Sequence, residues 1–294
     1  MDSEITSVGL ALLSAVFIGS STVILKFSTS RVKPLLVNFL KSLTGITGLL
    51  MIIIATNPHQ LYTLKACHVI TCFYIAFTGP FLAWYLYIRA LKEGEVSLVH
   101  PIANIYPIIA MVIGFVALGS RLTALHIIGA ILVIYGIRNI LYTSKRSERA
   151  SKEVKLKPVL GALSAAGLWG INAVLFKYLL AITNPLLLAF LRSLFSTLIM
   201  LPLIMIFRKE CFSNPSPKHM SAAVLAGFTS DIVGIMIWLT SLQLGEIASV
   251  TTIASTAPLF SAFLSQKIFG EKPSPRRWWG VTLSVIGIML VTAA

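Results

Sequence analysis

The most informative part of the sequence is residues 168–192, which read LWGINAVLFKYLLAITNPLLLAFLR. Most of these residues are apolar enough to lie in lipid, but the stretch also contains an amide, two cations and an Asn-Pro turn. The same features occur once earlier in the chain. The matching pairs, each 151 positions apart, are Gly19 with Gly170, Lys26 with Lys177, Pro34 with Pro185, and Lys41 with Arg192. This constant separation indicates that the chain contains an internal sequence repeat of two units.

The composition indicates an integral membrane protein. Of 294 residues, 56% are hydrophobic and 12% are charged, whereas a soluble domain averages about 25% charged residues. The formal net charge of +14 is expected to lie in loops that face an anionic membrane surface. The chain has no long block of like charge and no basic helix with interleaved aromatics, so we expect no nucleic-acid partner. The three cysteines fit no ligand spacing, and we expect no metal and no cofactor.

The apolar segments predict ten membrane-spanning helices, because a span needs about 20 mostly apolar residues. The spans are predicted at residues 6–27, 35–56, 68–91, 95–118, 123–142, 158–181, 185–207, 220–243, 246–268 and 275–293. The only long polar linker, residues 143–157, divides them into two sets of five. We therefore predict an all-α membrane protein with a first five-helix repeat at 1–142, a basic cytoplasmic linker at 143–157, and a second repeat at 158–294.

The odd number of spans in each repeat determines how the repeats are related. After five spans, the second repeat enters the membrane from the side opposite to the first, so the two repeats are inverted. Inverted repeats recur in secondary transporters, whose binding site lies between them near the bilayer midplane. Most Lys and Arg residues outside the spans fall on the side of the linker, and little beyond Lys65 and Arg121 falls on the other. The positive-inside rule then predicts a cytoplasmic linker and non-cytoplasmic termini, in the cell membrane.

These motifs resemble the EamA-type members of the drug/metabolite transporter superfamily. The family's first-helix pattern stands here as Trp169-Gly170 followed by Lys177, with Ile18 in place of the Trp in the first repeat. The closing pattern of a Pro, a Gly-Glu pair and two spaced glycines reads Pro258, Gly270, Glu271, Gly280 and Gly287. The resemblance implies ten spans, two inverted halves and alternating-access movement of a small metabolite or drug.

The first functional interpretation is a secondary active transporter that exports a small metabolite, amino acid or drug-like solute. The sequence has no Walker-type nucleotide loop, so ATP is not expected to drive transport directly. The alternative is an exchanger of phosphorylated or nucleotide-linked sugars, which requires Lys and Arg to face the cavity. A channel or a structural membrane protein is a further alternative. An enzyme is not expected, because intramembrane catalysis needs paired acids or a His-containing set. We expect a monomer or homodimer with a small-molecule substrate and surrounding lipid as partners.

Asp231 is the clearest candidate for function, because it lies near the middle of the eighth span. An unpaired carboxylate at that depth costs about 2.5–3.5 kcal/mol or more. It either carries a coupling proton or pairs with a cationic group of the substrate. The other interpretation is structural, in which it caps a local break or pairs with a neighbouring helix. Its counterpart in the first repeat is Pro80.

Two further sets of residues are candidates. The symmetry-related cations either attract a substrate anion or snorkel to the headgroups, and we favour snorkelling: Lys26, Lys41, Lys177 and Arg192. Aromatic and amide side chains are expected to line a cavity, with interfacial belts and interhelical hydrogen bonds as the alternative: Trp84, Tyr87, Asn104, Tyr106, Trp169, Asn172 and Trp238. His100 is interpreted as a packed, hydrogen-bonded residue. The candidate hinges are Pro80, Pro101, Pro107 and Pro258. Helix bends that only serve packing would show the same pattern.

Overall fold

The structure is a computed structural model that describes residues 2–56, 58–59, 66–118, 123–141, 156–245, 250 and 253–292. The regular elements in these ranges are helices, which confirms the all-α fold class. Within the described ranges, six helices are long and apolar enough to cross a membrane, and two shorter apolar helices lie at Val96–Ala110 and Ala124–Ile140. The six are Ile5–Thr29, Pro34–Thr56, Val69–Glu93, Leu156–Leu180, Pro185–Ile206 and Pro217–Leu244.

The helices follow the ten predicted spans in order. In the first repeat, span 1 is Asp2–Thr29, span 2 is Pro34–Thr56, span 3 is Ala66–Ala76 with Phe77–Ala83 and Trp84–Glu93, span 4 is Val96–Ala103 with Tyr106–Leu118, and span 5 is Ala124–Leu141. In the second, span 6 is Leu156–Leu180, span 7 is Pro185–Ile206, span 8 is Pro217–Gly227 with Phe228–Gly234 and Ile235–Leu244, span 9 includes Ala257–Phe269, and span 10 is Pro275–Thr292. A short helix, Arg208–Cys211, follows span 7.

Spans 3 and 8 each contain a widened segment with π-helical hydrogen bonding. The segments are Phe77–Ala83 and Phe228–Gly234, so the same deformation recurs 151 positions later. Their sequences differ, since one contains Pro80 and the other contains Asp231. Single π-helical turns inside α-helices are frequent at functional sites. Here they occupy corresponding places in the two repeats.

The other candidate hinge prolines lie at or near breaks in spans 4 and 9. Pro101 is inside the first helical segment of span 4, and Pro107 is the second residue of the next segment. Pro258 occupies the same place in span 9, directly after the break. Proline is favoured in the first turn of a helix, because the amide it lacks would have no partner there. These positions explain the breaks, while a hinge role remains a prediction.

Backbone contacts between spans 5 and 10 show the inverted symmetry directly. A Cβ atom added at Gly280 would lie 2.6 Å from the carbonyl oxygen of Gly136, and one at Gly287 would lie 2.6 Å from that of Gly129. Gly280 corresponds to Gly129 and Gly287 to Gly136, so exchanging the repeats converts one contact into the other. Residues without a side chain let two membrane helices approach this closely.

The glycine of the Trp-Gly motif likewise allows two helices to approach closely. A Cβ added at Gly170 would lie 3.0 Å from the Tyr106 carbonyl oxygen, and one at Gly19 would lie 2.8 Å from that of Ala257. Positions 106 and 257 also correspond. Span 6 therefore packs on span 4 as span 1 packs on span 9. Most of the linker, residues 143–155, lies outside the described residues, as do Lys65 and Arg121, so the cytoplasmic orientation remains a prediction.

Candidate functional site

A cavity of about 130 Å³ lies between the two repeats. The structure places around it all eight residues that the sequence proposed for the cavity wall: Trp84, Tyr87, Asn104, Tyr106, Trp169, Asn172, Asp231 and Trp238. Arg192 and Pro80 also line it. Lining residues come from spans 1, 3, 4, 6, 7, 8 and 9, so both repeats build the wall.

A buried ion triad lies at one side of the cavity. The Nζ atom of Lys41 is 2.7 Å from Oδ2 of Asp231, and Nη2 of Arg192 is 2.7 Å from Oδ1 of the same carboxylate. All three residues are buried, with Lys41 0%, Asp231 1% and Arg192 4% exposed. The snorkelling interpretation is therefore wrong for Lys41 and Arg192, because both side chains turn inward to a carboxylate. Spans 2, 7 and 8 are joined by these bonds.

Lys26 and Lys177 have a different environment from the triad. The ammonium of Lys26 donates to the carbonyl oxygens of Leu91 and Gly94, at 2.5 and 2.6 Å. Lys177 makes the corresponding bonds to Leu242 and Gly245, at 2.9 and 3.2 Å. The last carbonyls of a helix lack partners within the helix, and a cation stabilises them. These lysines therefore cap the ends of spans 3 and 8, and neither is among the residues that line the cavity.

Three aromatic rings form a contiguous part of the wall. The centroid of the Trp169 ring lies 5.3 Å from that of Trp84, in the edge-to-face geometry that aromatic pairs favour, and 5.2 Å from that of Tyr87, in a tilted geometry. The ammonium of Lys41 lies 3.9 Å from the Trp84 ring centroid, within cation–π range. Span 3 and span 6 thus contribute an aromatic surface that leads to the ion triad.

The corresponding positions in the other repeat carry aliphatic side chains. Ile18 stands at the position equivalent to Trp169, and Ile235 at the position equivalent to Trp84, and both line the cavity. Trp238 is the exception, since it corresponds to Tyr87 and packs against Phe176 with ring centroids 5.8 Å apart. The fold is symmetric, but the chemistry of the cavity wall differs between the halves.

Hydrogen bonds fix several polar groups of the wall. The hydroxyl of Tyr87 donates to Oγ1 of Thr22 at 3.1 Å, and Oδ1 of Asn172 accepts from Thr78 at 3.0 Å. The Nδ2 atom of Asn172 has no hydrogen-bond partner within the described part of the chain. His100 is buried and bonded to Ser261 at 2.6 Å, in agreement with its interpretation as a packed residue.

Some lining residues were not proposed from the sequence, notably Thr22, Phe176 and Ser230. Helical spacing could have indicated two of them, because Thr22 follows Ile18 by four positions and Phe176 follows Asn172 by four. Residues with that spacing lie on one helix face. Ser230 directly precedes Asp231 in the π-helical segment, and no sequence pattern indicated that this segment would be widened.

The sequence matches the model of the EamA-like transporter family twice, at residues 5–142 and 156–293. Together these matches cover most of the chain, and they start 151 positions apart. The chain belongs to the EamA-like transporter family. The resemblance to this family within the drug/metabolite transporter superfamily is thereby confirmed, and this EamA-like transporter is an integral membrane protein.

Relatives of this EamA-like transporter are also named as transporters. A protein of Archaeoglobus fulgidus named an uncharacterized transporter is 24% identical over 70% of this chain and 69% of its own length. Proteins named S-adenosylmethionine uptake transporters, from Rickettsia prowazekii and Rickettsia bellii, are 26% and 25% identical. The chain spans only 40% of the length of each of these two. A solved crystal structure superposes with a TM-score of 0.71, at 19% identity, over 98% of this chain and 97% of that one, which supports the fold.

Proposed function

We propose that the protein is a secondary active transporter that exports a small metabolite, amino acid or drug-like solute across the cell membrane by alternating access. The observation that carries this proposal is the cavity between the two inverted repeats, which has aromatic walls and a buried ion triad at one side. Binding sites of such transporters lie at the repeat interface near the midplane, where the repeats rock around a fixed site. The family and the names of the relatives also support transport.

Asp231 is the proposed carrier of a coupling proton. Its carboxylate holds Lys41 and Arg192 together through two short ion pairs. Protonation would remove the charge that both cations face, so spans 2 and 7 would lose their common partner in span 8. A ligand shifts a conformational equilibrium only by binding its states differently. A proton at Asp231 meets that condition if the triad, which is closed in this conformation, opens in the other one.

Within the alternative of phosphorylated or nucleotide-linked sugars, the cavity size disfavours the nucleotide-linked ones. A cavity of about 150 Å³ accommodates benzene, and pockets for drug-sized ligands measure about 300–1,000 Å³. The present cavity of about 130 Å³ is closer to the first value. S-adenosylmethionine, named for the two Rickettsia relatives, is the second candidate substrate, and uptake is the corresponding direction. It would require a wider conformation than this one.

Transport is tested with purified protein in lipid vesicles. Vesicles preloaded with a candidate solute are diluted into a trace of the same labelled solute. A carrier accumulates the label by counterflow and saturates, a channel equilibrates it without saturation, and a structural protein moves none. Panels of amino acids, sugar phosphates and S-adenosylmethionine identify the substrate, and imposed gradients of each sign give the direction. Absence of counterflow for every panel would contradict the proposal.

We also propose the repeat boundaries and the orientation that the sequence predicts. Residues 1–142 and 158–294 form the repeats, the linker 143–157 faces the cytoplasm, and both termini face outward. The distribution of Lys and Arg supports this orientation. Cysteines introduced at residues 148 and 2 should react with an impermeant thiol reagent from opposite sides of the membrane. Labelling of both from one side would contradict the odd number of spans per repeat.

A further inference from the structure

We propose that the ligand of the central cavity is a small organic anion, a carboxylate or a phosphate monoester, that binds beside Arg192. This inference rests on the proposed transport function and names its substrate class. It follows from three features of the described residues: an unbalanced charge, two buried donors without partners, and the character of the cavity wall.

The ion triad does not balance its own charge. Lys41 and Arg192 contribute two positive charges, and Asp231 contributes one negative charge. All three residues are buried, where salt and water screen charges poorly. Uncompensated charge inside a membrane protein is costly and is retained mainly where it has a function. One additional negative charge would therefore neutralise the site, whereas a positive charge would increase its net charge.

Two donors near the cavity lack acceptors. Nε of Arg192 and Nδ2 of Asn172 are buried and have no hydrogen-bond partner among the described residues. Both residues line the cavity. An N–H donor left unpaired in a buried site costs the desolvation energy of that group, and a ligand in the adjoining cavity is one way to satisfy it. A carboxylate or phosphate offers several acceptor oxygens and suits the planar guanidinium of arginine.

No other charged group in the described cavity wall competes with this assignment. Asp231 is the only acid among the lining residues of the described chain, and both of its oxygens already accept from a cation. A cationic ligand would have to displace Lys41 or Arg192 from that carboxylate. An anion can approach Arg192 without breaking either ion pair.

The wall also sets the shape of the ligand. Trp84, Tyr87 and Trp169 form a contiguous apolar surface that leads to the triad. The cavity volume of about 130 Å³ limits the apolar part of the ligand to about the size of one small ring next to its anionic group. A bare inorganic ion would leave this surface without contacts.

The experiment compares three rings of nearly equal size that differ in charge: benzoate, benzamide and benzylammonium. Each is titrated into the detergent-purified full-length protein while its melting temperature is measured, since ligand bound to the folded state raises it. Benzoate should produce a saturable rise, and benzamide and benzylammonium should not. Inorganic phosphate should compete weakly. A rise with benzylammonium, or no rise with benzoate, would overturn the inference.

Variants locate the site. Arg192→Gln leaves a neutral Lys41–Asp231 pair and should abolish the response to benzoate. Arg192→Lys keeps the charge but not the planar fork, and should weaken the affinity for benzoate without reversing the charge preference. Arg89→Gln is the matched control, because Arg89 is an exposed cation paired with Glu93, and it should respond as the wild-type protein does. An undiminished response in Arg192→Gln would place the anion elsewhere and refute the proposal, and the wild-type comparison stands even if that variant does not fold.

The binding assay is independent of flux, so the two proposals fail separately. If benzoate binds but vesicles show no counterflow with any solute, the transport proposal fails and the anion site stands. If vesicles show counterflow only with cationic solutes, transport stands and the anion inference fails.

Discussion

Lys41 and Arg192 occupy equivalent positions in the two repeats, yet they donate to different oxygens of one carboxylate. That carboxylate, Asp231, has no acidic counterpart, since Pro80 stands at the equivalent position. Spans 2 and 7 also contact each other nearby, where the hydroxyls of Ser42 and Ser196 are 3.4 Å apart. A symmetric pair of cations thus meets a single acid that only the second repeat supplies.

The triad predicts unequal effects of removing its members. Asp231→Asn leaves two buried cations without a carboxylate, whereas Lys41→Met leaves the pair of Arg192 and Asp231 intact. Breaking a buried pair costs about 3–5 kcal/mol, so we expect Asp231→Asn to lower the free energy of unfolding by that order and Lys41→Met by clearly less. Denaturant unfolding in detergent measures both. The variant that combines Lys41→Met with Asp231→Asn should lose less unfolding free energy than the sum of the two single losses. Simple additivity would show that the side chains of Lys41 and Asp231 do not interact.

Proton coupling predicts a change in how flux responds to pH. In the wild-type protein, a pH gradient across the vesicle membrane should drive accumulation of the substrate. In the variant that combines Lys41→Met with Asp231→Asn, one cation and the acid are removed together, and the gradient should no longer drive accumulation, although counterflow persists. Lys41→Met alone keeps Asp231 and is the control. A gradient response that survives in the double variant would remove Asp231 from the coupling step.

The contact between spans 5 and 10 predicts that one methyl group is enough to disturb their packing. Gly280→Ala would place Cβ 2.6 Å from the backbone oxygen of Gly136, which a rotamer change cannot relieve. Overpacking of this kind costs about 1–3 kcal/mol, so the melting temperature should fall. Gly167→Ala is the matched control, because nothing lies within 4 Å of its added Cβ, and alanine stabilises a helix by about 0.5–1 kcal/mol relative to glycine. Equal effects of the two substitutions would refute the close approach.

The capping role of Lys177 predicts a loss of stability without loss of ligand binding. Lys177→Met removes the donor to the carbonyls of Leu242 and Gly245. A buried acceptor left unpaired costs about 1–3 kcal/mol, and because these bonds are only partly buried, the unfolding free energy should fall by an amount near the lower end of that range. Lys157→Met, at an exposed position of the same helix, should change stability little. If Lys177→Met instead abolished benzoate binding at unchanged stability, Lys177 would belong to the cavity and not to a cap.

The sequence was sufficient to predict the fold and most of the cavity wall. The 151-residue repeat and the odd number of spans predicted inverted halves, and the contacts of Gly136 with Gly280 and of Gly129 with Gly287 have that symmetry. The residues of the cavity wall could be predicted because aromatic and amide groups are conspicuous in apolar spans and because the resemblance indicated which spans line a cavity. These inferences depend on local composition and on periodicity, both of which can be read along the chain.

The partners of the charged residues could not be predicted in the same way. Lys41 and Asp231 are 190 positions apart, and neither the repeat nor the spacing indicates that span 2 contacts span 8 at that depth. Lys26 and Lys177 were assigned to the same set of candidates as Lys41 and Arg192, yet they bind backbone carbonyls. Long side chains reach several directions from one helix position, so only the packing of the helices determines which one is used.

The distance along the chain between Lys41 and Asp231 has a consequence for biosynthesis. Span 2 enters the bilayer while span 8 has not yet been translated, because the carboxylate is encoded 190 residues later. In the nascent first half, the ammonium of Lys41 therefore lacks the carboxylate that it contacts in the complete fold. Closure of this ion pair is a late step of assembly, and truncated chains that end before span 8 are expected substrates for membrane quality-control proteases.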